Sequence, residues 1–385
     1  MAHSNTVFAQ LLKLVPRHQF ETLAKSHHLG RCFRRTSRWS QFVALAAGQL
    51  SGRRSLRDIV SNMKAQRASL YHLGSREVTR STLARVNEHQ PHAFYEALFG
   101  KLYGQCRSIA PRHGFRFKNK LYSLDASTID LSLAIFPWAR FRQRDGALKL
   151  HLGLDHDGGI PAFMSVTDGK VHEVTEARKR RLPRGSIVVM DKGYLDYSWY
   201  KTLSEQGVFF VTRARRNMRY RVTERQRVDR TTGLRADQTI RLTGQKSHCE
   251  DLPKLRRVSY VDPDSRQRYV FLTNNLSLAA ATIAAIYKQR WQIELFFKWI
   301  KQNLRIKSFL GVSKNAVMTQ VWVAMCVYLM LAYLKYLSKA SASMQQILRL
   351  LQLNLFMRRD LVALLRDDPP EAIPITPQQQ LALGS

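Results

Sequence analysis

The run Ser186-Ile-Val-Val-Met-Asp191 limits the possible folds of this chain more than any other six residues. Its consecutive apolar side chains leave no wet face, so it reads as a central strand buried on both sides. A sheet containing such a strand needs helices packed against it, which makes the chain α/β. Flanking segments agree. Lys120-Leu-Tyr-Ser-Leu-Asp125 and Ala147 to Leu154 alternate with period two, and Asp157-Gly158-Gly159 turns the chain into a further strand from Ile160 to Val166. A short helix is expected over Glu173 to Arg181, another over Tyr197 to Glu205, and a strand over Gly207 to Thr212.

Residues 1 to about 110 carry apolar side chains at helical spacing, in Phe8 to Leu14, Gln19 to His27, Trp39 to Leu50 and Leu56 to Met63. A later helix is expected to start at a Ser81 cap and to be divided by Pro91. Ser51-Gly52 and Gly74-Ser75 permit helix-turn-helix connections that would present Arg76, Arg80 and Arg85 to DNA. Residues 213–268 are strand-like and basic, with eight arginines from Arg213 to Arg230. The expected organisation is a helical DNA-binding domain (1–112), a first core segment (113–212), a β-rich basic insertion (213–268), a second core segment of helices (269–366) and a disordered Pro/Gln-rich tail (367–385). The apolar helix from Asn315 to Leu337 is expected to cover the sheet.

Charge narrows the partner. The 385 residues carry 62 Lys plus Arg against 28 Asp plus Glu, a formal charge of +34. Self-repulsion on that scale is relieved by a polyanion, and nucleic acid is the expected one, ahead of an anionic membrane surface. The run Val321 to Leu334 falls short of the ~20 residues of a bilayer span. The first residues lack a secretion signal, and the four scattered cysteines form no CxxC zinc pattern. The expected location is therefore a reducing cytoplasm beside the nucleoid, with no membrane partner.

The segment Tyr287 to Lys301 contains no Gly or Pro and reads as one helix. At about 100° per residue, Tyr287, Arg290, Glu294 and Lys301 fall within roughly 60° of arc. A carboxylate flanked by two cations and a phenol suits phosphate chemistry, in which the acid holds a metal ion and the cations hold phosphate oxygens. The same stripe alone could be a solvated face of i,i+4 ion pairs. Asp125 and Asp191 close apolar strands and could converge on Glu294, although singly each also reads as a turn or cap residue. Glu173 or Glu176 could replace Glu294 as third acid in a plain nuclease, whereas His151 and His172 read as packed or solvated.

Leu124-Asp125-Ala-Ser-Thr128, Val189-Met-Asp191-Lys-Gly-Tyr194 and the Tyr287-x2-Arg290-x3-Glu294-x6-Lys301 stripe together resemble the DDE transposases of the insertion-sequence-four family. The resemblance runs from about Leu121 to Gly311. It departs in one place: Ala126 separates Asp125 from the hydroxyl pair that many members place directly after the acid. The resemblance implies a ribonuclease-H-like core with a β-strand insertion. It also implies Asp125, Asp191 and Glu294 as catalytic metal ligands for Mg²⁺, with Mn²⁺ able to substitute. Tyr287, Arg290 and Lys301 would grip DNA phosphates, with Trp291 stacking or packing nearby. Lys298 and the basic residues Arg213, Arg215 and Arg216 complete the expected DNA contacts. The implied reaction is cut-and-paste movement of double-stranded DNA by a homodimer in a synaptic complex. Terminal inverted repeats are hydrolysed and their 3′-hydroxyls joined to target DNA. A structure-selective nuclease on the same core and a non-catalytic DNA-binding descendant are the alternatives.

Overall fold

The computed structural model describes residues 5–366 except 35, 140–145 and 244–251, so the expectation of a disordered tail lies outside the described residues. The amino-terminal region is helical: α1 (Val7–Leu12), α2 (Arg17–Ser26), α3 (Arg38–Leu50), α4 (Leu56–Ala65), α5 (Arg67–Leu70), α6 (Arg80–His89) and α7 (Ala93–Ile109). Side chains of Ser37, Ser55 and Thr79 accept backbone N–H groups at the starts of α3, α4 and α6. The α6 cap is therefore Thr79 rather than Ser81, because Thr79 Oγ1 reaches the Thr82 amide. Pro91 lies in the break between α6 and α7.

Among the described residues nine strands form one sheet: β1 (Leu121–Leu131), β2 (Gly146–Asp155), β3 (Ile160–Asp168), β4 (Ile187–Met190), β5 (Phe209–Arg213), β6 (Tyr220–Gln226), β7 (Leu234–Leu242), β8 (Leu255–Val261) and β9 (Arg268–Thr273). Their order is β3-β2-β1-β4-β5-β9-β8-β7-β6. The first three form an antiparallel meander, and β4 and β5 continue it in parallel with β1. The basic strands do not interrupt the sheet. They extend it, because β9 returns antiparallel beside β5 and β8, β7 and β6 add to its outer edge.

Period-two alternation sends the central strands' side chains to two cores. Leu124, Val188, Met190 and Phe210 pack with Trp199, Tyr200 and Leu203 of α9 (Tyr197–Glu205), beside the short α8 (Glu173–Arg178). Leu121, Ile187, Val189 and Val211 pack with Ile283, Ala284 and Tyr287 of α10 (Ala280–Gln289). Next comes α11 (Trp291–Asn303), so the expected single helix is broken at Arg290, whose backbone stays close to helical at φ −54° and ψ −31°.

The apolar helix α12 (Lys314–Ser338) has 25 residues, longer than its most apolar run suggests and long enough to cross a membrane. Of its most apolar window, 94% is buried inside the fold. It packs chiefly on α3, α6 and α7 and reaches the sheet at β3, so covering the sheet is the lesser part of its role. Phe42, Tyr95, Leu98, Trp322, Val323 and Leu329 share one core with Ile293 and Phe297 of α11. The last helices, α13 (Met344–Asn354) and α14 (Leu361–Arg366), close it near α1. An excised fragment of residues 1–112 would expose the surface that α12 covers. It is expected to lack cooperative unfolding and dispersed amide resonances, which circular dichroism melts and NMR would detect; a sharp, two-state melt would contradict the shared core.

Candidate active site

The site starts from strand register. Parallel pairing of β1 with β4 puts Leu124 opposite Met190, so Asp125 and Asp191 are the next residues along neighbouring strands. Asp125 does not end its strand as its sequence context suggests. β1 runs on to Leu131 because β2 keeps pairing with it, with Asp125 opposite Leu152. Asp191 does leave its strand, and the Thr212 hydroxyl of β5 donates to its backbone carbonyl at 3.3 Å. α11 crosses β1 and brings Glu294, in its first turn, to the same place.

The four-residue stripe meets the acids side by side. Arg290 Nη2 donates to Glu294 Oε1 at 2.5 Å, and its Nη1 lies 3.7 Å from Asp125 Oδ2. The Tyr287 hydroxyl donates to Asp191 Oδ1 at 3.4 Å. Lys301 Nζ donates to the Thr128 carbonyl at 2.8 Å, pinning the far end of α11 to β1. The break at Arg290 leaves all four on the side facing β1 and β4. Arg290 Nε is buried without a hydrogen-bond partner among the described residues, so part of its donor capacity is unused.

Burial dominates the electrostatics. It raises the Asp125 carboxyl to about 6; its own neighbouring amide and Arg290 pull the other way, while Glu294 and Asp191 add to the rise. Burial also lifts the Tyr287 phenol to about 12, with Asp191 adding to the rise and Arg290 opposing it. For Arg290, burial works against the charge, but Tyr287, Glu294 and Asp125 outweigh it and its pKa rises. Burial, with Lys307 adding, lowers that of Lys301. The site is thus acidic and relies on a cation.

Among the described residues no three metal-ligating side chains are close enough to hold one ion, and Arg290 lies between Asp125 and Glu294. The donor chemistry nevertheless fits a divalent cation. All three acids offer hard oxygens, and burial disfavours the Asp125 charge unless a cation offsets it.

The remaining expected residues are distributed around this centre. Trp291 is 56% exposed, and Lys298 is exposed on the same flank of α11. A cavity of about 640 Å³ runs from Asp191 and Lys192 to Arg213, Arg215, Arg216 and Asn217. Sequence reasoning gave no role to Lys192, quoted only as part of the Asp191 motif, or to Asn217, which carries no pattern beyond standing near the arginines. A separate cavity of about 420 Å³ is lined by Arg213, Tyr269, Phe271, Tyr287, Arg290 and Trp291. Glu173 and Glu176 are ion-paired with Lys149 and Lys179 instead of joining the acids. His151 donates to or accepts from Thr167 at 2.8 Å, and burial lowers its pKa to about 4. Arg76, Arg80 and Arg85 are exposed.

A carboxyl whose folded pKa is raised above its unfolded value favours the native state below the unfolded pKa, and that advantage is lost as pH rises through the folded one. For Asp125 the window runs from the ordinary carboxylate value up to about 6. In metal-free buffer Asp125→Asn is therefore expected to stabilise the protein at pH 7 by at most about 3 kcal/mol, with the gain fading towards pH 4. Denaturant melts at both pH values read this directly; a pH-independent difference would contradict the buried charge.

A family model described as the transposase DDE domain matches residues 118–330, and one described as a domain of unknown function matches residues 3–76. The y4zB protein of Sinorhizobium fredii, named as a transposase, is 34% identical over 291 residues, covering 74% of this chain and 80% of that protein. The protein named as transposase for insertion sequence element IS5377 of Geobacillus stearothermophilus is 28% identical over 262 residues, covering 66% and 67%. Among solved structures, the piggyBac transposase synaptic complex with hairpin DNA aligns over 98% of this chain and 83% of that one, at 12% identity; its TM-score of 0.44 carries no weight here. With more than half of its length matched by the family model and with these relatives, the chain belongs to the DDE transposase family.

Proposed function

We propose that this insertion-sequence transposase moves its element by cutting and pasting double-stranded DNA, with Asp125, Asp191 and Glu294 as the catalytic acids. The observation that carries the reading is the contact of the Tyr287/Arg290 stripe with all three acids at once. That stripe, with Lys301 anchored on β1, supports assignment to the insertion-sequence-four branch. The order β3-β2-β1-β4-β5, with β1, β4 and β5 parallel, supports a ribonuclease-H-like core, which the basic strands extend as its insertion.

Asp125, Asp191 and Glu294 would hold Mg²⁺, or Mn²⁺ in its place. When bound, such ions supply activation of the attacking oxygen and stabilisation of the leaving one. The side chains of the chain itself do the positioning. Arg290 neutralises Asp125 and Glu294 in the free protein, and its unused Nε shows spare donor capacity for a phosphate. Tyr287 steadies Asp191, and Lys301 adds a cation at the far end of the same face. Water is the nucleophile that hydrolyses the bond at a terminal inverted repeat, and the freed 3′-hydroxyl then attacks target DNA. Each step exchanges one phosphodiester oxygen for another, so no redox partner is needed. A homodimer in a synaptic complex would bring two ends together, in the cytoplasm where the DNA lies.

Two variants test this. Glu294→Gln is expected to leave DNA affinity within about twofold while cutting strand cleavage by at least about 10³-fold, as expected for loss of one transition-state group. Gel-shift and cleavage assays on DNA flanking the reading frame read both, and unchanged cleavage would sink the assignment. Arg290→Ala should weaken retention of cut ends more than metal affinity, measured by competitor challenge and by metal titration.

A further inference from the structure

Beyond the acidic site lies a third cavity of about 510 Å³, lined by Arg213, Arg215, Arg216, Arg257, Arg268 and Tyr220 among others. It shares Arg213, Ala214, Arg215 and Arg216 with the cavity that opens at Asp191, so the two are joined along the β5–β6 connection. Five of its lining side chains are guanidinium groups, and among the described residues no carboxylate lines it.

Neighbouring arginines differ in whether a carboxylate offsets their charge. On β8, Arg256 is buried and forms a bidentate pair with Asp237 on β7, at 2.8 and 2.7 Å. Alternation turns Arg257 to the opposite face of the sheet. There its hydrogen-bond partner is the neutral Gln238 at 3.0 Å, and its guanidinium lies 5.2 Å from the Tyr220 ring centroid. Arg213 rests 5.0 Å from the Tyr269 centroid, and Arg215, Arg216 and Arg268 are exposed. None of these five has a carboxylate within ion-pair distance among the described residues. Five like charges around one cavity repel one another, so an empty cleft is electrostatically unfavourable and a polyanion relieves it.

We infer that this cleft is a second phosphate-binding track, in which Arg257 and Arg268 hold the sugar–phosphate backbone of the DNA segment that continues past the scissile phosphate. The inference rests on the proposed cleavage at Asp125, Asp191 and Glu294, because the track begins at Asp191. Arginine forks suit phosphate oxygens, and backbone contacts of this kind fix position without reading sequence. The outer strands of the sheet thus serve as a guide for DNA leaving the acidic centre.

The test compares binding of an arbitrary-sequence duplex of about 40 base pairs by the full chain and by three double variants, across about 50 to 200 mM salt. Arg257→Ala with Arg268→Ala is expected to reduce the slope of log affinity against log salt by about two, since each lost phosphate contact removes about 0.9. The affinity gap from wild type then closes about tenfold across that range. Arg225→Ala with Arg227→Ala removes the same charge from exposed positions outside the cleft and should leave the slope unchanged. Arg257→Lys with Arg268→Lys keeps the charges and should retain the slope, which guards against misfolding as the cause. An unchanged slope in the first variant, or an equal fall in the outside pair, would overturn the track. Cleavage by Glu294→Gln in the same preparation tests the catalytic reading separately, because that substitution leaves the cleft arginines in place.

Discussion

Parallel pairing between β1 and β4 sets Leu124 against Met190, and the acidic site depends on that register. Side chains alternate between faces along a strand, so a slip of one residue would turn Asp125 towards α9 and bring Leu124 towards α11. The buried neighbours prevent the slip. Leu124, Val188 and Met190 fill one core, while Leu121, Ile187 and Val189 fill the other. Apolar packing on both faces therefore fixes the relative height of two carboxylates that do not touch each other.

Bringing Glu294 to those two acids concentrates negative charge where burial already disfavours it. The raised Asp125 carboxyl records that conflict, and Arg290 moderates it by reaching both Asp125 and Glu294. A site with its own internal counter-ion can fold before metal or DNA arrives. It also keeps a guanidinium between Asp125 and Glu294. Stability and the proposed function pull apart here, because the buried charge that weakens the fold is the charge that would hold a metal ion.

The helical ends of the chain are joined through α12, which threads α3, α6 and α7 and shares a core with α11. Buried Gln49 of α3 and Gln320 of α12 bond to the backbone just after α11, at Arg305, so both helices are attached to the end of the helix that carries Glu294.

Composition and spacing alone determined much of this protein. The Ile187–Met190 strand is apolar throughout and could only be central, Asp157-Gly158-Gly159 could only turn, and Tyr197–Glu205 has the bounds its pattern gives. The spacing of the stripe is local and set by helix pitch, whereas the three acids are singled out by their strand, strand, helix order and by the family resemblance of their motifs. Tertiary structure decided what depends on contacts between distant segments. It extended β1 past Asp125 because β2 pairs there, made the basic strands part of the same sheet through β5 and β9, and buried α12 between helices more than 200 residues away in sequence. It also separated Arg256, neutralised by Asp237, from Arg257, left facing an arginine-lined cleft. Adjacent arginines are indistinguishable in a sequence; which face of the sheet each occupies, and what lies across from it, is a property of the assembled fold.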